Sequence, residues 1–282
     1  MTKAGSVRAD FSGKRVLLTG ASRGIAAEIA RSFAINGASV VINYSAAADQ
    51  AAGFPGAAEA LVTEMKAAGS AASAIEADLL VSGAGRRLVD RAVATLGGID
   101  ILVLSAAIAT RTSLLDLDET EIAAQLQVNV IAAVQILQAT IPLMRTAGWG
   151  RIITIGSVQE ESPSAEMPIY ALTKAGQANL VKNIAVENAP YGITVNNVSP
   201  GLVKTDRNEF RRRDMAAWDR LVANANPMGR AGLPEDISGA VLFLCSEDAA
   251  FVTGITLFAA GGAQLPFLYR DGVEAHRPRA AR

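Results

Sequence analysis

Tyr170 and Lys174 stand four positions apart in a stretch of helical period, which puts both side chains on one helix face. A phenol titrates near ~10 and is a poor base at neutral pH, so an ammonium on the same face tunes it toward proton transfer. Ser157 lies thirteen positions before the tyrosine, at the end of the apolar run Arg151-Ile152-Ile153-Thr154-Ile155-Gly156. Its hydroxyl can hydrogen-bond a substrate oxygen without titrating. Singly, the pair reads as a solvated helix pair and the serine as a turn or capping residue. Together, a phenol, a cation and a neutral hydroxyl suit proton transfer to or from a substrate oxygen.

A second chemical signal lies near the N-terminus, where Val16-Leu17-Leu18 runs into Thr19-Gly20-Ala21-Ser22-Arg23-Gly24-Ile25-Ala26. A glycine-rich turn between strand and helix lets backbone N–H groups approach a pyrophosphate, and the helix N-terminus adds partial positive charge. Glycines also serve plain tight turns, but the strand before and the helix after favour the phosphate reading.

Scarce residues narrow the chemistry further. The 282 residues contain one cysteine, Cys245, and one histidine, His276. Intramolecular disulfides, Ser-His-Asp and Cys-His machinery, cysteine-rich zinc sites and two-histidine metal motifs are thereby set aside, and no metal is expected. Cys245 reads as a small core residue and His276 as a tail residue. With 26 Lys+Arg against 27 Asp+Glu the net charge is −1, a poor match for nucleic acid or an anionic membrane. No apolar run nears the roughly 18 residues of a membrane helix, and residues 1–14 lack a signal-peptide stretch, so a cytoplasmic location is expected.

The elements that must position these residues alternate along the chain. Strands are expected at 15–19, 39–43, 72–76, 100–105, 151–156, 193–198 and 255–258. Helices are expected at 24–36, 56–68, 82–96, 118–145, 167–188 and 234–246. Near-continuous apolar strands between helices indicate an α/β domain, a parallel sheet covered on both faces. Residues 46–56 read as an enlarged loop after the second strand.

In this order and spacing the motifs resemble those of the short-chain dehydrogenase/reductase family. Residues 19–26 are similar to its TGxxxGxG, Tyr170-Ala171-Leu172-Thr173-Lys174 to its YxxxK, and Pro200-Gly201-Leu202-Val203-Lys204-Thr205 to its PGxxxT. The thirteen-residue interval from Ser157 to Tyr170 is also the family's. The resemblance covers residues 11–262. It implies a Rossmann-like doubly wound parallel sheet, one domain over 1–262, and a tail over 263–282. It also implies hydride transfer between NADP(H) or NAD(H) and a ketone or secondary alcohol, with a 3-oxoacyl-type or related carbonyl reductase as the leading reading. Tyr170 then exchanges a proton with the substrate oxygen, and Lys174 lowers the phenol pKa and holds the nicotinamide ribose. Ser157 polarises the carbonyl, and Asn129, in Gln127-Val128-Asn129-Val130, holds a water in a proton relay.

The same motifs imply the cofactor residues: Gly20, Ser22, Arg23, Gly24 and Ile25 in the turn, and Asn43, Tyr44 and Ser45 after the second strand. Asp78 and Leu79 belong to the adenine, Ser105 and Ala106 to the wall beside the ribose, and Pro200, Gly201, Val203 and Thr205 to the loop after the sixth strand. NAD sites place a carboxylate about 20 residues beyond the fingerprint. Here none occurs before Asp49, and Arg23 offers a positive charge for a 2′-phosphate, so NADP(H) is expected over NAD(H). Three departures, Ala26, Leu104-Ser105-Ala106-Ala107 and Ala259-Ala260-Gly261-Gly262, point to altered cofactor affinity rather than lost chemistry. Gln159, Glu160 and Met167 are expected to line the substrate pocket, and 206–226 to cover it, with Arg211-Arg212-Arg213 a solvated face. The family's assembly implies a homotetramer, or failing that a dimer, through the two long helices and the last strand. An NAD-dependent polyol, sugar or hydroxysteroid dehydrogenase stays open, as does a silent nucleotide-binding scaffold, against which the intact tetrad argues.

Overall fold

The computed structural model describes residues 10–266, so most of the expected tail and His276 lie outside the described residues. Its strands are β1 (Arg15–Leu18), β2 (Ser39–Tyr44), β3 (Ala72–Glu76), β4 (Ile101–Leu104), β5 (Gly150–Ile155), β6 (Ile193–Pro200) and β7 (Thr256–Ala259). They form one parallel sheet in the order β3-β2-β1-β4-β5-β6-β7. The strand order reverses between β1 and β4: β1 pairs with β2 on one side and with β4 on the other. That reversal opens a crevice at the carboxyl ends of the strands, where α/β sheets bind ligands.

The helices are α1 (Gly24–Ile35), α2 (Ala46–Ala51), α3 (Ala57–Ala67), α4 (Ala84–Leu96), α5 (Glu119–Leu126), α6 (Ala133–Ala147), α7 (Pro168–Asn188), α8 (Met215–Ala225) and α9 (Pro234–Cys245). Strand alternation sorts side chains between two cores. Val16 and Leu18 pack with Ile29, Phe33, Met65, Val241 and Leu244 of α1, α3 and α9. Leu17 points the other way, with Leu88, Ile136, Leu137, Val181 and Ile184 of α4, α6 and α7. Each fully buried side chain of this size contributes roughly 1.5–3 kcal/mol of transfer free energy. Those two layers fix the strand ends that carry the chemistry.

Three expectations change. Residues 46–51 are helical: Ser45 caps α2 by accepting from Ala48 N at 3.3 Å, and the alanines that follow favour helix. The covering region is two elements, a 3-10 segment Asp206–Arg213 and α8, and Arg212 turns inward to Thr205 O (2.9 Å) and Asn208 Oδ1 (2.6 Å). Finally, Glu119–Ala147 forms one continuous helix that is long and apolar enough to cross a bilayer by length and composition. Its Val128, Ala132, Ala133, Ile136, Leu137 and Met144 belong to the core on one face of the sheet, while Ile131 and Leu143 are exposed.

Candidate active site

The glycine-rich turn follows β1 directly. Gly20 has φ +60°, and a Cβ there would sit 2.7 Å from the Ala106 Cα, so only glycine lets this turn lie against the segment after β4. Thr19 Oγ1 accepts from Ser105 N (3.0 Å) and Ala106 N (3.1 Å), which ties that altered segment to the turn without the family's usual residues. The N-terminus of α1 carries no side-chain cap, leaving its backbone N–H groups to an anion. These features fit a dinucleotide pyrophosphate.

At the adenosine end the expected donors are otherwise engaged. Asn43 is buried; its Oδ1 accepts from Gly20 N (3.3 Å) and its Nδ2 donates to Ala77 O (3.0 Å), so it braces the turn instead of facing a ribose. The Tyr44 hydroxyl donates to Glu59 Oε1 at 2.7 Å, which pushes its pKa up to about 12. Ser45 caps α2. In their place stands Asp49 of α2, 4% exposed, whose Oδ1 accepts from Ser22 Oγ and from Arg23 Nε, each at 2.9 Å. Its Oδ2 is buried without a hydrogen-bond partner. Arg23 also pairs with Asp206 and lies 5.0 Å from the Phe54 ring, so its charge is held between two carboxylates. Asp78 is half-buried and Leu79 buried, with Leu79 O accepting from Gln127 Nε2 (3.2 Å). Val203 and Thr205 are held by Asn208, through Nδ2 to Val203 O (2.7 Å) and Oδ1 from Thr205 N (3.2 Å), while Gly201 N donates to Ala259 O.

The catalytic corner joins the ends of β5 and α7. Ser157 begins a short 3-10 turn and its Oγ accepts from Gln159 N at 3.2 Å. Tyr170 lies half-buried beside it. Burial raises the phenol pKa above its ordinary value; the Arg207 charge and the Ser157 hydroxyl oppose that, so the phenol is protonated at neutral pH. Lys174 is 2% exposed, and burial with the Arg207 charge lowers its pKa to about 8. Its Nζ donates to Ile155 O (2.7 Å) and Gln177 Oε1 (3.0 Å) and sits 5.6 Å from the Tyr170 ring centre. The groups that oppose the effect of burial on the phenol are the Arg207 charge and the Ser157 hydroxyl.

Asn129 sits in a π-helical segment, Gln127–Ala132, between α5 and α6, a distortion frequent at functional sites. Its side chain is committed: Oδ1 accepts from Ile108 N (2.9 Å), and Nδ2 donates to Ile108 O (2.9 Å) and Thr173 Oγ1 (3.1 Å). Its main-chain carbonyl accepts from Gln177 Nε2. Gln159 holds its own loop through Ser164 N (2.7 Å), and Met167 is buried before α7. Glu160 is engaged by β6, accepting from Ser199 Oγ (2.7 Å) and Asn197 Nδ2 (3.1 Å).

Sequence reasoning missed Asp49, Asp206, Gln177 and the inward turn of Glu160. Gln177 stands three positions after Lys174, a same-face interval that offered the signal. Asp49 was visible as the first carboxylate after the second strand, but its reach to the turn depends on residues 46–51 being helical.

Fold and site together define a dinucleotide-dependent oxidoreductase. A family model described as enoyl-(acyl carrier protein) reductase matches residues 20–264. The chain is 36% identical over 250 residues to L-rhamnose 1-dehydrogenase (NAD(P)(+)) of Azotobacter vinelandii, covering 88% of this chain and 96% of that one. Among solved structures, a 3-oxoacyl (acyl-carrier-protein) reductase of Agrobacterium tumefaciens with NADP bound superposes with a TM-score of 0.84 at 39% identity, over 93% of this chain and 99% of that chain. A short chain dehydrogenase of Burkholderia cenocepacia in complex with NADP gives 0.80 at 35% identity, over 90% and 98%. The chain belongs to the short-chain dehydrogenase/reductase family, and it is an oxidoreductase that uses a nicotinamide dinucleotide.

Proposed function

We propose that the protein is an NADP(H)-dependent carbonyl reductase acting on a 3-oxoacyl-type or related ketone. The observation that carries this reading is the half-buried Tyr170 phenol beside the Ser157 hydroxyl, raised in pKa and therefore protonated and able to donate at neutral pH. When bound, the nicotinamide supplies the hydride. Ser157 orients the carbonyl oxygen, Tyr170 Oη gives it a proton, and Lys174 binds the nicotinamide ribose while its charge favours the phenolate left behind. Gly20, Gly24 and the uncapped start of α1 receive the pyrophosphate, and Pro200, Gly201, Val203 and Thr205 border the nicotinamide.

NADP(H) preference is supported by the two NADP-bound neighbours and by Arg23. Arg23 meets a 2′-phosphate only by loosening its pairs with Asp49 and Asp206, so NAD(H) is used as well, less tightly. A second reading, an NAD-dependent sugar dehydrogenase, is favoured by one observation: the unpartnered Asp49 carboxylate oxygen suits ribose hydroxyl donors. A panel of 3-oxoesters, sugars and hydroxysteroids, followed by absorbance with both cofactors, separates the readings. Turnover confined to sugars with NAD+ overturns the first.

A homotetramer in the cytoplasm completes the proposal. Leu172 and Val186 on α7, Ile131 and Leu143 on the α5–α6 helix, and Phe251 before β7 are exposed apolar side chains on the two faces such an assembly covers. Light scattering tests it; a monomer overturns it.

A further inference from the structure

Two buried amide contacts meet at Gln177. This residue is 6% exposed, on the same face of α7 as Lys174. Its Oε1 accepts from Lys174 Nζ at 3.0 Å, and its Nε2 donates to the main-chain carbonyl of Asn129 in the π-helical segment. The amide thus offers an acceptor to the ammonium and a donor to the carbonyl, so both ends of the bridge match. Ile155 O takes a second Lys174 N–H, which leaves one of the three donors uncommitted.

We propose that Gln177 is a positioning residue for the reaction, an amide bridge that fixes the Lys174 ammonium against the Asn129 carbonyl. The proposal rests on the catalytic reading of Tyr170 and Lys174. A primary amide neither yields nor takes a proton near neutral pH, so the branch toward Asn129 orients Lys174 and conducts nothing. The titratable and charged groups facing Lys174 are Tyr170 on its own helix, Glu160 in the turn after β5, and Arg207 in the segment after β6. Gln177 is the neutral member of that set. A leucine of similar size would leave a buried ammonium proton and a buried carbonyl without partners.

The test uses the full chain with Gln177→Leu, Gln177→Ala and Gln177→Glu, and with Tyr170→Phe and Lys174→Ala as controls. Lys174 is titrated by lysine carbon NMR, assigned by its disappearance in Lys174→Ala, and NADPH oxidation is followed with ethyl acetoacetate as the carbonyl probe. Relative to a wild-type midpoint of about 8, Gln177→Leu moves Lys174 down by about one unit and Gln177→Glu moves it up. Gln177→Leu lowers kcat about tenfold with a smaller change in KM for NADPH, and Gln177→Ala, which leaves room for a water, recovers part of that loss. If Gln177→Leu does not fold, the upward shift in the nearly isosteric Gln177→Glu carries the test. Unchanged Lys174 midpoints in the folded variants overturn the proposal, whatever their stability. Full turnover in Tyr170→Phe overturns the catalytic reading instead, and the NMR titration still judges Gln177 because it needs no turnover.

Discussion

The two ends of the cleft handle charge in opposite ways. At the catalytic corner the direct hydrogen-bond partners of Lys174 are neutral, the Ile155 carbonyl and the Gln177 amide. At the adenosine end the guanidinium of Arg23 is held by two carboxylates, Asp49 and Asp206. A buried ammonium among neutral acceptors has a movable proton, and its midpoint falls to about 8. A guanidinium between carboxylates keeps its charge, and what varies is whether that charge is free for a ligand. In the proposed function, chemistry at one end would depend on protonation, and selectivity at the other on exchange of partners.

The most direct way to break this contrast is Tyr170→Phe. Removing the hydroxyl deletes the proposed proton donor but leaves Lys174, the glycine turn and the cofactor end untouched. Turnover is expected to fall by at least about a hundredfold, with NADPH affinity nearly unchanged. Steady-state rates beside a fluorescence titration of NADPH measure both. Comparable losses in the two would mean that the corner and the cofactor end are not separable.

Arg23→Ala and Asp49→Asn sharpen the other side. Losing the guanidinium removes a charge-assisted contact and should weaken NADPH by about tenfold to a hundredfold, with a much smaller effect on NADH. Asp49→Asn acts in the reverse sense: it removes a negative charge beside Arg23, tightening NADPH and loosening NADH. Isothermal titration of both variants with both cofactors decides this. Equal losses for the two cofactors in Arg23→Ala would sink the proposed role.

Much of this was legible in the sequence, and the boundary has a physical cause. The order of strands and helices, the glycine turn, the Ser157–Tyr170–Lys174 spacing and the place of Asn129 are local patterns, each set by residues within a few turns of one another. What escaped depends on which way a side chain turns after packing. Asn43, Tyr44 and Ser45 looked like free donors because their strand ends at the cleft, yet each finds a nearer partner in Gly20, Glu59 or Ala48. Glu160 flanks Ser157 in sequence but is drawn inward by Ser199 and Asn197 on β6, thirty-seven or more positions away. Asp49 reaches the turn only because alanines around it make a helix.

Asn43→Asp tests that distinction. A surface donor replaced by a carboxylate would alter cofactor preference and little else. In its braced position, 2% exposed, Asn43 gives its Nδ2 to Ala77 O, and aspartate loses that donor and buries a charge. The expected result is a stability loss of about 1–3 kcal/mol by urea denaturation, affecting both cofactors alike. Unchanged stability with an inverted cofactor preference would restore Asn43 to the ribose.

The smallest effect belongs to Glu160→Gln, and its sign follows from which groups the carboxylate faces. A negative charge favours the protonated form of each neighbour, and Glu160 raises the pKa of both Lys174 and Tyr170. Neutralising it lets both fall. Lys174 is an ammonium below its midpoint of about 8, so a lower midpoint means that its charge is lost earlier as pH rises. The alkaline limb of the kcat–pH profile for reduction should move to lower pH, while the rate at neutral pH holds because Tyr170 stays protonated there. Glu160 is half-buried and Arg207 offsets part of its field, which limits the shift to roughly a few tenths of a unit. The amide keeps an oxygen for Ser199, so the Ser157 turn is expected to survive. A shift to higher pH contradicts the electrostatic argument. A uniform loss of kcat at every pH would instead make Glu160 a brace for Ser157, the role its hydrogen bonds to β6 also permit.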